Sequence, residues 1–271
     1  IDICLSAHTH NRLYEAARIN DTIIIQCGCH GSFIGHLDAE TEKNKIVNYQ
    51  YQLKTVDDSF PVCKETEAKV KAIMDPFTSL QSEIIGSTPA ILHRYNILNS
   101  RMDNLLLAAM QWKTGTQLAF SNGWRYGIPV EKGKITQYHL FNIIPHNPAI
   151  ETIEMTGKEV WQMLEENLER TFSTNPMQQM GGYIKRCNGL TAYIKIENPK
   201  NHLMQELFIG NEHYQKEKIY TASFVTEQGV PEKYGINRKK TEIHILDAMS
   251  EFIKAGLLTE DVIEGKAIIS I

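Results

Sequence analysis

The spacing of apolar and polar positions changes along the chain, and the changes divide it. Residues 1–55 favour extended structure. The apolar run Ile1-Asp2-Ile3-Cys4-Leu5 predicts a strand, and residues 23–26, with three β-branched isoleucines, predict another. Residues 33–38 alternate loosely and residues 46–53 alternate well, through Val47, Tyr49, Tyr51 and Leu53. From residue 65 to residue 85 the period becomes helical. Val70, Ile73, Met74, Phe77 and Ile84 fall near one face, Pro76 should kink or divide the helix, and Gly86-Ser87-Thr88-Pro89 stops it. Beyond it strands and helices mix. Ser100 and Asp103 start a helix whose buried face would be Met102, Leu105, Leu106, Ala109 and Trp112. Residues 116–120 predict a strand and Asn122-Gly123 a turn. Thr156 and Glu159 cap a second helix, with Val160, Trp161, Leu164 and Leu168 facing inward. Residues 189–196, 203–209 and 219–224 predict strands, and residues 245–255 a helix ended by Gly256. The pattern thus divides into a strand-rich segment (1–55), too small to close a sheet by itself, a linker helix (56–88), and a mixed α+β domain (89–271). The fold class is α/β in the broad sense.

Composition narrows the function classes. A chain of 271 residues with a formal charge of −4 lacks the basic surface of a nucleic-acid binder. Its densest basic run, Arg238-Lys239-Lys240, suits a solvated turn. No apolar run approaches the ~18 residues that a membrane span needs. Five cysteines are too few, and odd in number, for a disulfide scaffold. Cys27-Gly28-Cys29-His30 invites a metal reading, but no second Cys/His pair with ligand spacing follows, so a structural strand end is the plainer expectation. Because Ile1 opens an apolar run without a preceding Met, the start reads as mid-domain, and the chain as a fragment.

The sharpest chemical signal is Leu5-Ser6-Ala7-His8-Thr9-His10-Asn11-Arg12, two imidazoles one residue apart in a loop after a strand. A turn there lets both rings converge on ions ~3.5–4 Å apart, as two-metal hydrolysis requires. Neutral imidazole suits Zn, Mn, Fe or Ni. The motif resembles the Gly-His-x-His of the calcineurin-like metallophosphoesterases. The later run Gln26-Cys27-Gly28-Cys29-His30-Gly31-Ser32-Phe33-Ile34-Gly35-His36-Leu37-Asp38 and the domain behind it are similar to the 5′-nucleotidase family, which couples such a catalytic domain to a C-terminal substrate-binding domain. In that second domain Asp103-Asn104-Leu105, Ser121-Asn122-Gly123-Trp124-Arg125-Tyr126-Gly127-Ile128-Pro129 with Gly133-Lys134-Ile135-Thr136, and Gly182-Tyr183-Ile184 with Asn188-Gly189-Leu190 resemble family motifs in the family's order.

The resemblance implies the following. Residues 1–55 would be the C-terminal strands of a metallophosphoesterase sandwich, and residues 89–271 a substrate-binding domain. His8 and His10 would each ligate one of two divalent ions. Asn122 and Gly123 would present Arg125, whose planar guanidinium suits an anionic group, and Phe224 would stack on a base. The substrate would be a small anionic ester and the location periplasmic or extracellular. The remaining metal ligands (an Asp-x-His, a bridging Asp and an Asn-His) would lie in an upstream part of the same protein, leaving this chain inactive alone.

Departures point elsewhere too. Ala7 replaces a glycine, the turn before Arg125 is shorter, and Gln228-Gly229-Val230 stands where the family carries Gly-Gly-Asp, so the base-binding carboxylate is missing. These features resemble a branch that includes the thiosulfohydrolases of bacterial sulfur oxidation. A thiosulfate-type ester is therefore the rival substrate, and a non-catalytic anion- or partner-binding module the rival class.

Overall fold

A computed structural model describes residues 1–123, 127–180 and 183–271. The chain has a mixed α/β fold and forms two compact units, Ile1–Pro76 and Phe77–Ile271. The division falls inside the segment 56–88.

The N-terminal unit contains β1 (Ile3–Leu5), β2 (Ala17–Ile19), β3 (Thr22–Ile25), β4 (Phe33–Glu42), β5 (Lys45–Thr55) and α1 (Lys64–Met74). β3 lies between β1, which is parallel to it, and β2, which is antiparallel. β4 and β5 form a long antiparallel ribbon. Lys43 and Asn44 close it at φ +46° and +63°, the backbone that matches strand twist in two-residue hairpins. A small sheet and a ribbon enclose little. Ile23 and Ile25 are the buried hydrophobic residues of this unit among the described residues. α1 buries none of its side chains, and Val70 and Ile73 are exposed. The apolar face expected there is present but uncovered within the unit.

The C-terminal unit opens with α2 (Thr78–Ser82) and β6 (Ile84–Thr88). Pro76 divides the expected helix, as the missing N–H of proline requires. The helix ends before residue 85, because the β-branched pair Ile84-Ile85 enters β6. There follow α3 (Arg101–Thr114), β7 (Leu118–Ser121), β8 (Gly133–Thr136), α4 (Gln137–Ile143), β9 (Ala149–Thr156), α5 (Gly157–Thr171), β10 (Arg186–Asn188), β11 (Leu190–Ile194), β12 (Met204–Ile209), β13 (Glu212–His213), β14 (Ile219–Phe224), β15 (Ile236–His244), α6 (Ile245–Lys254), α7 (Glu260–Ile263) and β16 (Ile268–Ser270). The central sheet has the order β10-β7-β14-β9-β15, with β7 and β14 parallel and the other pairs antiparallel. A second sheet runs β13-β12-β11-β16, and β6 pairs with β8.

Both faces of the central sheet are covered. Leu118 and Phe120 of β7 pack in one core with Val160, Leu164 and Leu168 of α5, while Ala119 packs in another with Leu105 and Leu106 of α3 and Met249 and Ile253 of α6. A strand buried on both sides needs no alternation, which is why Leu118-Ala119-Phe120 reads as a plain apolar run. The caps behave as their chemistry dictates. Ser100 Oγ accepts from Asp103 N at 3.2 Å, and Thr156 and Glu159 form a reciprocal capping box. Trp112 departs from the expected buried face. It is 45% exposed and lies edge-on to Phe252, because Leu107 and Met110 take the buried positions beside it. Arg238-Lys239-Lys240 lies in edge strand β15 rather than in a turn, where charge discourages pairing with another chain. No helix among the described residues is long and apolar enough to cross a membrane.

Candidate functional site

In the N-terminal unit, the histidine loop follows β1 and is tied to the end of β3. Ser6 N donates to Ile25 O at 2.9 Å, Leu13 N to Gln26 O at 3.0 Å and Gly28 N to Asn11 O at 2.8 Å. The buried Gln26 amide donates to Ala7 O at 3.0 Å and to Thr9 Oγ1 at 2.7 Å. These bonds hold a backbone that would otherwise relax. His8 and His10 take φ +64° and +59°, a left-handed conformation that costs a non-glycine residue about 1 kcal/mol or more. His8 is exposed and His10 half-buried.

His10 does not stand with His8 alone. Cys29 and His30 come back to it through a tight turn. Gly28 (φ +75°), His30 (φ +60°) and Gly31 (φ +69°) are left-handed, and Ser32 N donates to Cys29 O at 3.2 Å. A Cβ at Gly28 would sit 2.9 Å from the Phe33 ring, so the position admits only glycine without rearrangement. The ligand atoms of His10, Cys29 and His30 all lie within 4.8 Å of one another. The rings of His10 and His30 meet edge to face, with centroids 5.8 Å apart. Cys27 goes elsewhere. Its sulfur lies 3.9 Å from Tyr51 Oη, and burial together with that contact raises the Tyr51 phenol. All five cysteines are free thiols.

In the C-terminal unit, three separated segments meet. Asn122 Nδ2 lies 3.4 Å from Gln228 Oε1. Gly123 abuts Tyr183 and Ile184 so closely that an added Cβ would lie 2.6 Å from Tyr183 Cβ and 2.9 Å from Ile184 O. The Lys185 ammonium donates to Gln228 O at 2.7 Å and Gly229 O at 2.8 Å. Burial pushes Lys185 down to about 8. Asn122-Gly123, the 183–186 segment and the 228–229 loop therefore meet in one place. Arg125 lies outside the described residues.

A buried ion cluster supports this junction. Asp103 Oδ1 accepts from Arg94 Nε at 3.0 Å, and Asp103 Oδ2 lies 3.1 Å from Arg186 Nε. Ser100 Oγ donates to Asp103 Oδ2 at 2.6 Å. Arg186 also donates to Ile97 O at 2.9 Å and Asn96 O at 2.6 Å. Asp103, read from the sequence as a cap and motif residue, thus ties α3 to the start of β10.

Phe224 occupies a different place from the one expected of a base-stacking residue. It is fully buried in the α5 core, and the Arg238 guanidinium lies 4.7 Å from its ring centroid. The strand β14 turns residue 224 toward the inner face, so the ring presents no free surface to a base. Val230 is likewise fully buried. The sequence pattern invites a metal reading at Cys29-His30 without joining it to His10, and it passes over Lys185. The signals that could have found them were the glycines flanking Cys29-His30, which permit the reversal, and a Lys185-Arg186 pair set between the apolar residues Ile184 and Cys187.

The domain described as "5'-nucleotidase, C-terminal domain" matches residues 84–226, more than half of the chain. Among curated proteins, the trifunctional nucleotide phosphoesterase protein YfkN of Bacillus subtilis is 23% identical over 239 residues, covering 82% of this chain and 16% of its own length. Among solved structures, the sulfate thiohydrolase SoxB of Thermus thermophilus aligns with a TM-score of 0.83 at 20% identity, over 100% of this chain and 49% of that one. A 5′-nucleotidase precursor from the same organism gives 0.80 at 18% identity, over 95% and 54%. The chain thus spans about half the length of those structures and a sixth of the curated relative. At such identities the structural likeness shows the fold.

Proposed function

The chain belongs to the 5′-nucleotidase family through its C-terminal domain, and we propose on that premise that it is part of a two-metal hydrolase that cleaves a small anionic ester. The observation that carries the reading is the pinned histidine loop. A buried glutamine and cross-loop backbone bonds hold His8 and His10 in left-handed conformations that cost free energy. The donor set fits divalent ions of the Zn, Mn, Fe or Ni class, which imidazole nitrogen binds well. When bound, such a pair of ions supplies a hydroxide nucleophile at neutral pH and offsets charge that develops on the ester.

His8 and His10 would each hold one of the ions, with further ligands from parts of the protein beyond this chain. The Asn122-Gly123 turn would present Arg125, whose guanidinium fork would bind the anionic group of the substrate and orient it. Asp103, Arg94 and Arg186 would keep the neighbouring segments fixed, so that this orientation costs little on binding. The 271-residue chain alone would then bind but not turn over substrate. Export to the periplasm or the exterior follows the family resemblance and is checked by cell fractionation.

A nucleoside monophosphate is the family's default substrate, and a thiosulfate-type ester is the rival. The burial of Phe224 and Val230, with no carboxylate in the Gln228-Gly229-Val230 stretch, favours a site that does not read the base. The full-length protein should therefore hydrolyse AMP, GMP and UMP with kcat/KM values within about tenfold, or ~1.4 kcal/mol. The test is a panel of these nucleotides, an aryl phosphate and a thiosulfonate ester of cysteine. A hundredfold preference for one purine nucleotide would overturn the lost-clamp reading. Preference for the thiosulfonate would select the rival.

A further inference from the structure

We propose that Gln228 is a specificity-determining residue, which reads the non-reacting end of the substrate through its side-chain amide, and that Lys185 positions it. The substrate class this selects is an ester whose far end carries an anionic acceptor group, such as a carboxylate. The inference rests on the hydrolase reading in one respect, that the Asn122-Gly123 turn borders the substrate.

The turn 226–229 that follows β14 is held more firmly than an exposed loop requires. The buried Lys185 ammonium donates to Gln228 O at 2.7 Å and to Gly229 O at 2.8 Å. Lys185 is itself fixed, because its backbone N–H donates to Asn167 Oδ1 at 2.6 Å. Gly229 N donates to Thr226 O at 2.9 Å, and a Cβ at Gly229 would lie 2.9 Å from Val225 O. Thr226 takes φ +62°, which is uncommon for a β-branched residue. Its hydroxyl is buried with no hydrogen-bond partner among the described residues. A buried ammonium, a strained threonine and an unpaired hydroxyl all cost stability, and together they fix one short stretch of backbone. The exposed side chains on that stretch are Glu227 and Gln228, and Gln228 is the one that reaches Asn122.

The chemistry of Gln228 sets what it can read. Its Oε1 faces Asn122 Nδ2 at 3.4 Å, which leaves the Nε2 group to donate. A donor there suits an acceptor atom, and the local charge suits an anionic one. Lys185 and Arg186 are buried side by side, and the carboxylate that pairs with Arg186, that of Asp103, is shared with Arg94. Glu166, whose charge also reaches Lys185, is held by Lys233 and Arg170. Glu227 is exposed, where solvent screens it. The junction therefore carries an excess of positive charge, which draws an anion toward Gln228.

The test uses the full-length protein and two esters with the same reacting end, phenyl phosphate and 4-carboxyphenyl phosphate. We expect the wild type to favour the carboxylated ester at least about tenfold in kcat/KM, chiefly through KM, as one hydrogen bond to a charged group provides. That preference should vanish in Gln228→Leu and reverse in Gln228→Glu, where two carboxylates oppose each other. Both variants change an exposed side chain. Lys185→Met should weaken the preference by raising KM for the carboxylated ester, whereas a merely structural role would lower kcat for both esters alike. A wild-type enzyme that does not distinguish the esters, a Gln228→Leu enzyme that keeps the preference, or equal losses on both esters in Lys185→Met would overturn the proposal. If the wild type hydrolyses neither ester, the hydrolase reading falls separately. The preference is then read as the ratio of dissociation constants of the two intact esters, with the same expected and overturning results.

Discussion

Asp103 shows how one residue can combine roles that the sequence presents separately. Its backbone N–H caps α3 through Ser100, and its carboxylate meets two buried guanidinium groups. Removing that charge strands two buried cations, and such losses cost about 3–5 kcal/mol. Asp103→Asn should therefore lower the stability of the C-terminal unit by that amount in urea unfolding; a loss below ~1 kcal/mol would show that the arginines find other partners. Lys185 is the second such residue. Burial holds its folded value near 8 against 10.5 for the free side chain. Between these values the unfolded chain keeps a proton that the folded chain has released. Stability from this group accordingly rises with pH over the window from about 8 to 10.5, and falls again as pH drops to about 8. Cys187, which burial pushes up to about 12, acts in the opposite sense above its unfolded value. Comparison with Lys185→Met isolates the lysine. The stability difference, wild type minus variant, should rise by up to about 3 kcal/mol across that window. A flat difference would mean that Lys185 stays charged against the Gln228 and Gly229 carbonyls.

At the scale of elements, the histidine loop depends on side-chain anchoring more than on its own turn propensity. Gln26→Leu leaves Ala7 O and Thr9 Oγ1 without their donor, a cost of about 1–3 kcal/mol. Because the damage is local, amide exchange at Leu13 and Gly28 should accelerate while β7 and β14 remain protected. Acceleration in both units would contradict a local anchor. The elements were legible where one rule dominated. β14 coincides with the apolar stretch 219–224, and α5 with its capping box and apolar stripe. They were not legible where a distant partner decided. β15 carries Arg238-Lys239-Lys240, a sequence that only its pairing with β9 makes into a strand. Ile84 and Ile85 satisfied a helical stripe, yet pairing with β8 drew them into β6. Trp112 satisfied the spacing of α3 but not the shape of the packed core. At the candidate site, spacing singles out His8 and His10 and predicts a turn at Asn122-Gly123, while the roles proposed for all four come from the family resemblance. The closure of Cys29 and His30 on His10, and the burial of Phe224, depend on how loops fold back, which spacing does not encode.

For the molecule as a whole, membership of the 5′-nucleotidase family and a mixed α/β fold in two units frame the proposed division of labour, in which the first unit would carry metal ligands and the second would recognise the substrate. The first unit buries few apolar side chains, whereas the second carries two cores across a five-stranded sheet. The most direct test of that account is turnover of a nucleoside monophosphate, or of whichever ester the panel selects, by the full-length protein before and after chelation. Activity should disappear on exhaustive dialysis against a chelator and return with Mn²⁺ or Zn²⁺. His8→Ala, an exposed change that leaves the fold intact, should lower kcat at least a hundredfold, about 2.7 kcal/mol of transition-state stabilisation. Chelator-treated enzyme that retains full turnover, or a His8→Ala variant as active as wild type, would contradict it.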